Sequence, residues 1–343
     1  SATVIAQHSV RHVASRTATR QQHVPQRSGH FCEHSRETVP SHGSSVLPNR
    51  LATQQRQQDV AQTHGILRSG DLKRDSPRLR GRIVVAAGRH PVTVSRPVFQ
   101  LIQCAKAASM VRDSAFNLAI GPLVKLWRIG FHGHSVPDAA DIKARLALTR
   151  PQEVILDEAT CSVFLQQPGM ELDLGAIAKG YIADRVRDYL RQQQVEKALI
   201  NLGGNVHTLG EWAIGLKKPF ADAQALIGSL TVNGQSVVTS GTYERYFEQD
   251  GKRWHHILDP RSGYPLDNEL DSVTVISADS LDGDIWTTLL FGLGVEKGCA
   301  ALRQRQDIDA IFVTKNRDII LSSPQRLRFA PLDSGYRVID CTA

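Results

Sequence analysis

From about Val84 onward, the order of apolar and polar residues is regular enough to read as structure. Residues 99–110 place Leu101, Ile102, Ala105 and Ala108 at helical spacing, which predicts an amphipathic helix. A polar break at 114–117 precedes the apolar run 120–127, and residues 137–148 read as a helix with Pro137 in its first turn. Residues 154–156 and 162–165 have the apolar content of short strands. Residues 171–174 read as a further strand that Gly175 turns into a helix over 177–190, with Ile177, Tyr181 and Val186 on one side. Residues 198–205 form a buried strand ending in a Gly-Gly turn, and 237–241 another strand. Residues 243–248 and 253–258 pair as a hairpin around Asp250-Gly251. The apolar stretch 285–293 predicts a buried helix that Gly294 ends.

The first 83 residues lack such periodicity. Residues 1–90 hold fourteen Lys and Arg against five Asp and Glu, so the chain's net charge of +7 arises entirely at the front. Phe31 is the one aromatic residue there, eight of the 13 histidines gather there, and Gln, Ser and Arg recur. Such a segment buries too little apolar surface to offset its ordering entropy. An Arg-rich arm raises nucleic acid or an anionic membrane as partners. Thirteen Arg against one Lys, with almost no rings for base stacking, favour instead a disordered or non-native basic segment over 1–83 and no nucleic-acid partner. The 343 residues leave length for a domain over 84–340 with its own core. Five cysteines without Cys-x-x-Cys spacing give no support for zinc and point to a reducing compartment. No run approaches the roughly eighteen apolar residues of a membrane span, and no charged-then-apolar leader opens the chain. The expected location is cytoplasmic, with no transmembrane segment.

Three blocks carry candidate chemistry. In 173–180, a glycine turn into a helix points backbone N–H groups at whatever occupies the turn, which suits phosphate, and Lys179 adds positive charge. The alternative is an ordinary connection with a solvated lysine. In 256–263, His255 and His256 sit at the end of the hairpin, where adjacent strand residues face opposite ways, so only one of them faces a site. In 284–288, Asp284 and Thr288 lie one helical turn apart and present two hard oxygens of the kind magnesium prefers. There the competing reading is a helix-start acid and a threonine bonded back to its own backbone.

Taken together, the blocks resemble the FAD:protein FMN transferase (ApbE) family, once described as thiamine biosynthesis lipoproteins. The resemblance covers roughly residues 84–314. It rests on Ala115-Phe-Asn117 with Gly121-Pro122 and Trp127, on 173–180, on 201–204, on Ser240-Gly-Thr-Tyr-Glu-Arg245, on 256–263 and on 284–288. The family's opening strand and its Ser-rich segment ending in Asn are not found in residues 1–83, and Asn117 stands where many members have Asp.

The resemblance implies an α+β, T-fold-like architecture of two parts with FAD bound between the halves. It implies cleavage of the FAD diphosphate with Mg2+, transfer of FMN to a Thr or Ser of a target flavoprotein, and release of AMP. Asp284, Thr288 and a backbone carbonyl near Ala176 would hold the metal. Ala115, Phe116, Asn117, Asp173, Lys179 and Leu258 would contact FAD. His256 is the candidate base, because imidazole accepts a hydroxyl proton near neutral pH. Two alternatives stay open: a non-catalytic FAD-binding protein, and an FAD diphosphatase that uses water.

Overall fold

A computed structural model describes residues 3–7, 81–131 and 133–341. The fold is α+β. Its centre is an eight-stranded mixed sheet in the order β1 (Thr3–Gln7), β5 (Lys197–Asn201), β6 (Asn205–Leu209), β9 (Ser236–Gly241), β12 (Leu270–Ser277), β13 (Ile308–Thr314), β14 (Asp318–Leu321) and β16 (Arg337–Asp340). A three-stranded sheet holds β2 (Val92–Thr93), β4 (Ser162–Leu165) and β3 (Val154–Asp157). A second one holds β15 (Arg328–Pro331), β8 (Leu226–Asn233) and β7 (Glu211–Lys217), and β10 (Tyr246–Gln249) pairs with β11 (Lys252–His255) as a hairpin. The helices are α1 (Arg96–Ser109), α2 (Gly121–Trp127), α3 (Ala139–Leu146), α4 (Ala178–Gln192) and α5 (Ser280–Arg303).

The period-2 geometry of strands explains the layering. On β12 and β13, Val273, Val275, Ala310 and Phe312 face α5 and pack on Trp286, Leu290 and Phe291. Their neighbours Ile276, Ile311 and Val313 face the opposite way and pack on Ile227, Leu230 and Val232 of β8. Both faces of the central sheet are therefore buried, which is why these strands read as continuous apolar runs. α1 buries Leu101, Ile102, Ala105 and Ala108 as its periodicity predicts, against β4 and the start of α4.

Several local expectations need correction. Residues 171–174 are extended but belong to no ladder, because the start of α2 lies where a partner strand would be; the Asp173 N–H donates to the Leu118 carbonyl at 2.8 Å. Pro137 precedes α3, which begins after Asp138, and α4 extends to Gln192. Gly294 does break the helical backbone, with φ 74°, but helix resumes to Arg303 because Glu269 caps the second segment, its Oε1 accepting from Val295 N–H at 2.6 Å.

A strand was not expected within residues 1–83, yet β1 pairs parallel with β5, from Thr3↔Lys197 to Gln7↔Asn201. A sheet edge satisfies any added backbone whatever its composition. Residues 81–83, expected to be disordered, open a helical turn over 81–86 and bury Ile83 in the core; the rest of that expectation falls on residues 1–2 and 8–80, outside those described. Cys299 and Cys341 form a disulfide, 42 residues apart, which corrects the reading of all five cysteines as reduced; spacing rules see only near neighbours. Among the described residues, α5 is long and apolar enough by length and composition to cross a membrane. Here it is the core helix beneath the central sheet.

Candidate active site

The site is built where α4 and α5 touch. Gly180 permits the contact, since a Cβ there would lie 2.3 Å from the Ser280 carbonyl oxygen and 2.8 Å from Asp284 Oδ2. The first turn of α5 is held from α4 rather than by its own cap. Asp184 accepts the N–H groups of Ser280 and Leu281 at 2.7 and 2.9 Å, and Arg187 bonds Asp184 at 3.2 Å and Asp279 at 2.6 Å. Burial pushes the Asp184 carboxyl up to about 7, against the pull of Arg187. Behind it, the fully buried His207 bonds Ser280 Oγ through Nδ1 at 3.0 Å.

Asp284, one turn further on, is buried, and both its oxygens are engaged. Oδ2 accepts the Gly180 N–H at 2.5 Å and Oδ1 accepts Asn205 Nδ2 at 3.0 Å. Burial raises its carboxyl to about 6, while those two bonds and Lys179 oppose the rise. Gly180 is the third residue of α4, so its N–H is one of the first-turn donors that have no acceptor within the helix. Asp284 satisfies it from α5, and Ala176, in the turn before the helix, is exposed. Asn205 Oδ1 is buried with no hydrogen-bond partner.

A carboxylate with backbone carbonyls and hydroxyls is a hard-oxygen donor set of the kind that fits Mg2+. Among the described residues no group of three or more His, Cys, Asp or Glu is arranged for a metal, so a cation here would draw its other ligands from carbonyls, hydroxyls, water and substrate. The Thr288 hydroxyl donates to the Asp284 carbonyl at 3.4 Å, and the Thr287 hydroxyl to the same carbonyl at 3.0 Å. Thr288 thus has the backbone-bonded geometry of the competing reading, over a long bond.

Lys179 reaches the turn after β5, donating to the Gly203 carbonyl at 2.9 Å, and its charge bears on both Asp284 and His256. Asp173 Oδ1 accepts the Gly175 N–H at 2.7 Å and shapes the turn into α4. Ala115 and Phe116 are buried, Ala115 lying directly under Gly292 of α5. The Asn117 side chain is tied into its loop, Nδ2 donating to the Thr149 carbonyl at 2.7 Å and Oδ1 accepting from Ala119 N–H at 2.8 Å. Phe116, Asn117, Lys143, Arg150, Pro260 and Arg261 line a cleft of about 570 Å³. Leu258 is buried in the cluster around Trp127, whose indole N–H donates to the Gly263 carbonyl at 2.8 Å.

The two histidines separate clearly. His255 is buried, with Nε2 2.8 Å from the Leu266 carbonyl and Nδ1 accepting the Ile257 N–H at 3.3 Å. Both nitrogens are spent on backbone. His256 is half-buried, and its Nδ1 lies 3.2 Å from the Arg245 carbonyl. A carbonyl only accepts, so Nδ1 carries the proton and Nε2 keeps its lone pair. Burial first, and the Arg245 guanidinium next, hold this imidazole down at about 3, so it is neutral near pH 7.

Sequence reasoning missed Asn205, Asp184, Arg187 and His207. The signals were a polar residue opening a buried strand and an Asp on the apolar side of α4 beside Ala183. Neither names its partner, which lies 79 residues away for Asn205 and 96 for Asp184.

The fold is α+β, and the buried carboxylate of Asp284 and the imidazole of His256 both feel the charge of Lys179. The chain belongs to the ApbE family, whose pattern matches residues 76–312. It is 97% identical over 258 residues to an FAD:protein FMN transferase of Klebsiella pneumoniae, covering 75% of this chain and 82% of that one. It is 38% identical to an FAD:protein FMN transferase of Treponema pallidum, over 73% of this chain and 74% of that one. Among solved structures it is similar to the ApbE protein of Thermotoga maritima, with TM-score 0.63 and 32% identity over 69% of this chain and 79% of that one. It is also similar to the apo flavinyl transferase ApbE of Pseudomonas stutzeri, with TM-score 0.58 and 29% identity over 84% and 89%.

Proposed function

We propose that this enzyme moves FMN from FAD to a Thr or Ser hydroxyl of a target flavoprotein and releases AMP, with Mg2+ at Asp284. The observation that carries the reading is the pairing of His256, open at Nε2, with the buried Asp284 carboxylate, both under the charge of Lys179. FAD would lie against 115–117, Asp173, Lys179 and Leu258, with the cleft beside Phe116 and Asn117 taking part of the nucleotide.

His256 Nε2 takes the proton as the acceptor hydroxyl attacks the FMN-side phosphorus, and the bond from that phosphorus to the bridging oxygen breaks toward AMP. Its Nδ1 bond to the Arg245 carbonyl keeps the ring in the tautomer this transfer needs. Lys179 offsets negative charge on the diphosphate. Asp284, with the Ala176 carbonyl and the Thr288 hydroxyl, would hold Mg2+, which neutralises charge on the phosphate oxygens. Asn205 and the Gly180 N–H keep the Asp284 carboxylate oriented.

The Cys299–Cys341 disulfide supports an oxidising compartment over the cytoplasmic location expected from spacing. The test of function is incubation with FAD, Mg2+ and a candidate acceptor, then a denaturing gel viewed for flavin fluorescence. A fluorescent acceptor band supports transfer. Free FMN and AMP with no labelled protein would mean a diphosphatase, and intact FAD a binding protein.

A further inference from the structure

Beside His256 lies a surface that FAD binding and metal binding leave unused. Two bonds join His256 to one carbonyl: its N–H donates to the Arg245 carbonyl at 3.1 Å, and Nδ1 does so at 3.2 Å. The charge of the Arg245 guanidinium also bears on the His256 imidazole, so the side chain runs near the base. That guanidinium lies 5.7 Å above the ring of Phe131, which is 56% exposed. The loop that presents Phe131 is tightly made. Arg128 and Gly130 have φ of 53° and 79°, and the N–H groups of Phe131 and Gly133 both donate to the Arg128 carbonyl, at 2.8 and 3.0 Å. Gly130 passes so close beneath Arg245 that a Cβ there would lie 2.4 Å from its Cδ.

A single exposed phenylalanine is ordinary on a protein surface. Here the loop that carries the ring is set by Arg128 and Gly130 at positive φ, and the ring is topped by a cation with no acid partner among the described residues. The neighbouring cations of the hairpin region are paired: Arg253 with Glu248 at 2.8 Å, Lys252 with Asp267 at 3.3 Å and Lys217 with Glu244 at 3.6 Å. Arg245 alone of this group has no carboxylate within ion-pair reach among the described residues. Its donors are available to an incoming chain. Tyr246, 41% exposed, packs edge-on against Phe220 with ring centroids 5.3 Å apart, and Arg253 lies 4.0 Å over the Phe220 ring.

We propose that Phe131 and Arg245 form the shelf on which the acceptor protein lays the extended segment that carries its hydroxyl. An apolar side chain of that segment would cover Phe131, and an oxygen acceptor on it would take the Arg245 N–H donors, which brings the hydroxyl to His256 Nε2. Exposed aromatic and arginine residues around a catalytic group are the usual anchors of protein recognition. The proposal rests on the transferase reading given above.

The test uses the full chain and a soluble flavoprotein that the wild-type enzyme labels on a denaturing gel, its acceptor residue confirmed by replacement with alanine. Phe131→Ser and Arg245→Gln are each compared with wild type for acceptor KM and for FAD Kd, the latter by quenching of flavin fluorescence. The expected result is a rise in acceptor KM of about tenfold for each, with FAD Kd within twofold of wild type. Unchanged acceptor KM in both variants, or FAD Kd weakened in parallel with KM, overturns the shelf. Phe131 is a surface residue, so its variant stays informative if Arg245→Gln perturbs the loop. Failure of the wild-type enzyme to label any acceptor is a different result, and defeats the transferase reading instead.

Discussion

The N–H of Gly180 on α4 donates to Asp284 Oδ2 on α5 at 2.5 Å, a contact between residues 104 positions apart that couples the first turn of α4 to the carboxylate of the site. It exists because residue 180 has no side chain. Gly180→Ala should push the helices apart, at a cost of about 1–3 kcal/mol for an overpacked contact. Denaturant unfolding would show the loss of stability, and Mg2+-dependent transfer should fall with it. A variant as stable and active as wild type would mean that the helices give way freely.

Asp284→Ala should abolish transfer, by about 10²-fold or more, since electrostatic stabilisation of developing phosphate charge is removed. Far-UV circular dichroism should remain that of a folded chain. Asp284→Asn should also fail, because an amide lacks the charge. Undiminished gel fluorescence with either variant refutes the metal assignment.

His256→Ala should lower the transfer rate by roughly 10²–10⁴, the span for loss of a general base. His255→Ala should act on stability instead, as it strips partners from the Leu266 carbonyl and the Ile257 N–H. A cost of about 1–3 kcal/mol in unfolding free energy is expected. Rates and melting curves for both variants decide, and a larger rate loss from His255→Ala would reverse the roles.

His207 is buried neutral, its imidazole pushed down to about 3 by burial first and then by Arg187 and Arg191. The folded state thus binds fewer protons than the unfolded state, and this stability, present above the unfolded value near 6.5, is lost as pH falls toward the folded value. Asp184, raised to about 7, has the opposite slope, so the group is isolated by comparison of wild type with His207→Gln. On lowering pH from 7 to 5, the stability gap should move in favour of the variant by on the order of 2 kcal/mol. An unchanged gap would show that His207 takes up its proton as readily in the fold as in the unfolded chain.

Residues 1 to about 83 are proposed to be a shifted reading frame or a misassigned start. The front has the opposite charge balance to the rest of the chain and a single aromatic. Translation of the upstream nucleotides in the other two frames should yield a Ser-rich segment ending in Asn. If it does not, and limited proteolysis leaves residues 1–83 intact, the segment is a native, folded addition.

Torsional preference and local burial were legible in the chain itself. The spacing of Leu101, Ile102, Ala105 and Ala108 marked α1, and Asp250-Gly251 marked the hairpin turn, where both residues have positive φ. The one-turn offset of Asp284 and Thr288 was likewise visible, because helical period is a local property. Tertiary structure alone decided that Asn205 and Gly180 hold the Asp284 carboxylate, that Asp184 caps α5, that Cys299 meets Cys341, and that His256 rather than His255 keeps an open nitrogen. Each of these joins backbone or side-chain groups from elements brought together only by packing of α4, α5 and the hairpin, and no local period encodes which distant group will arrive.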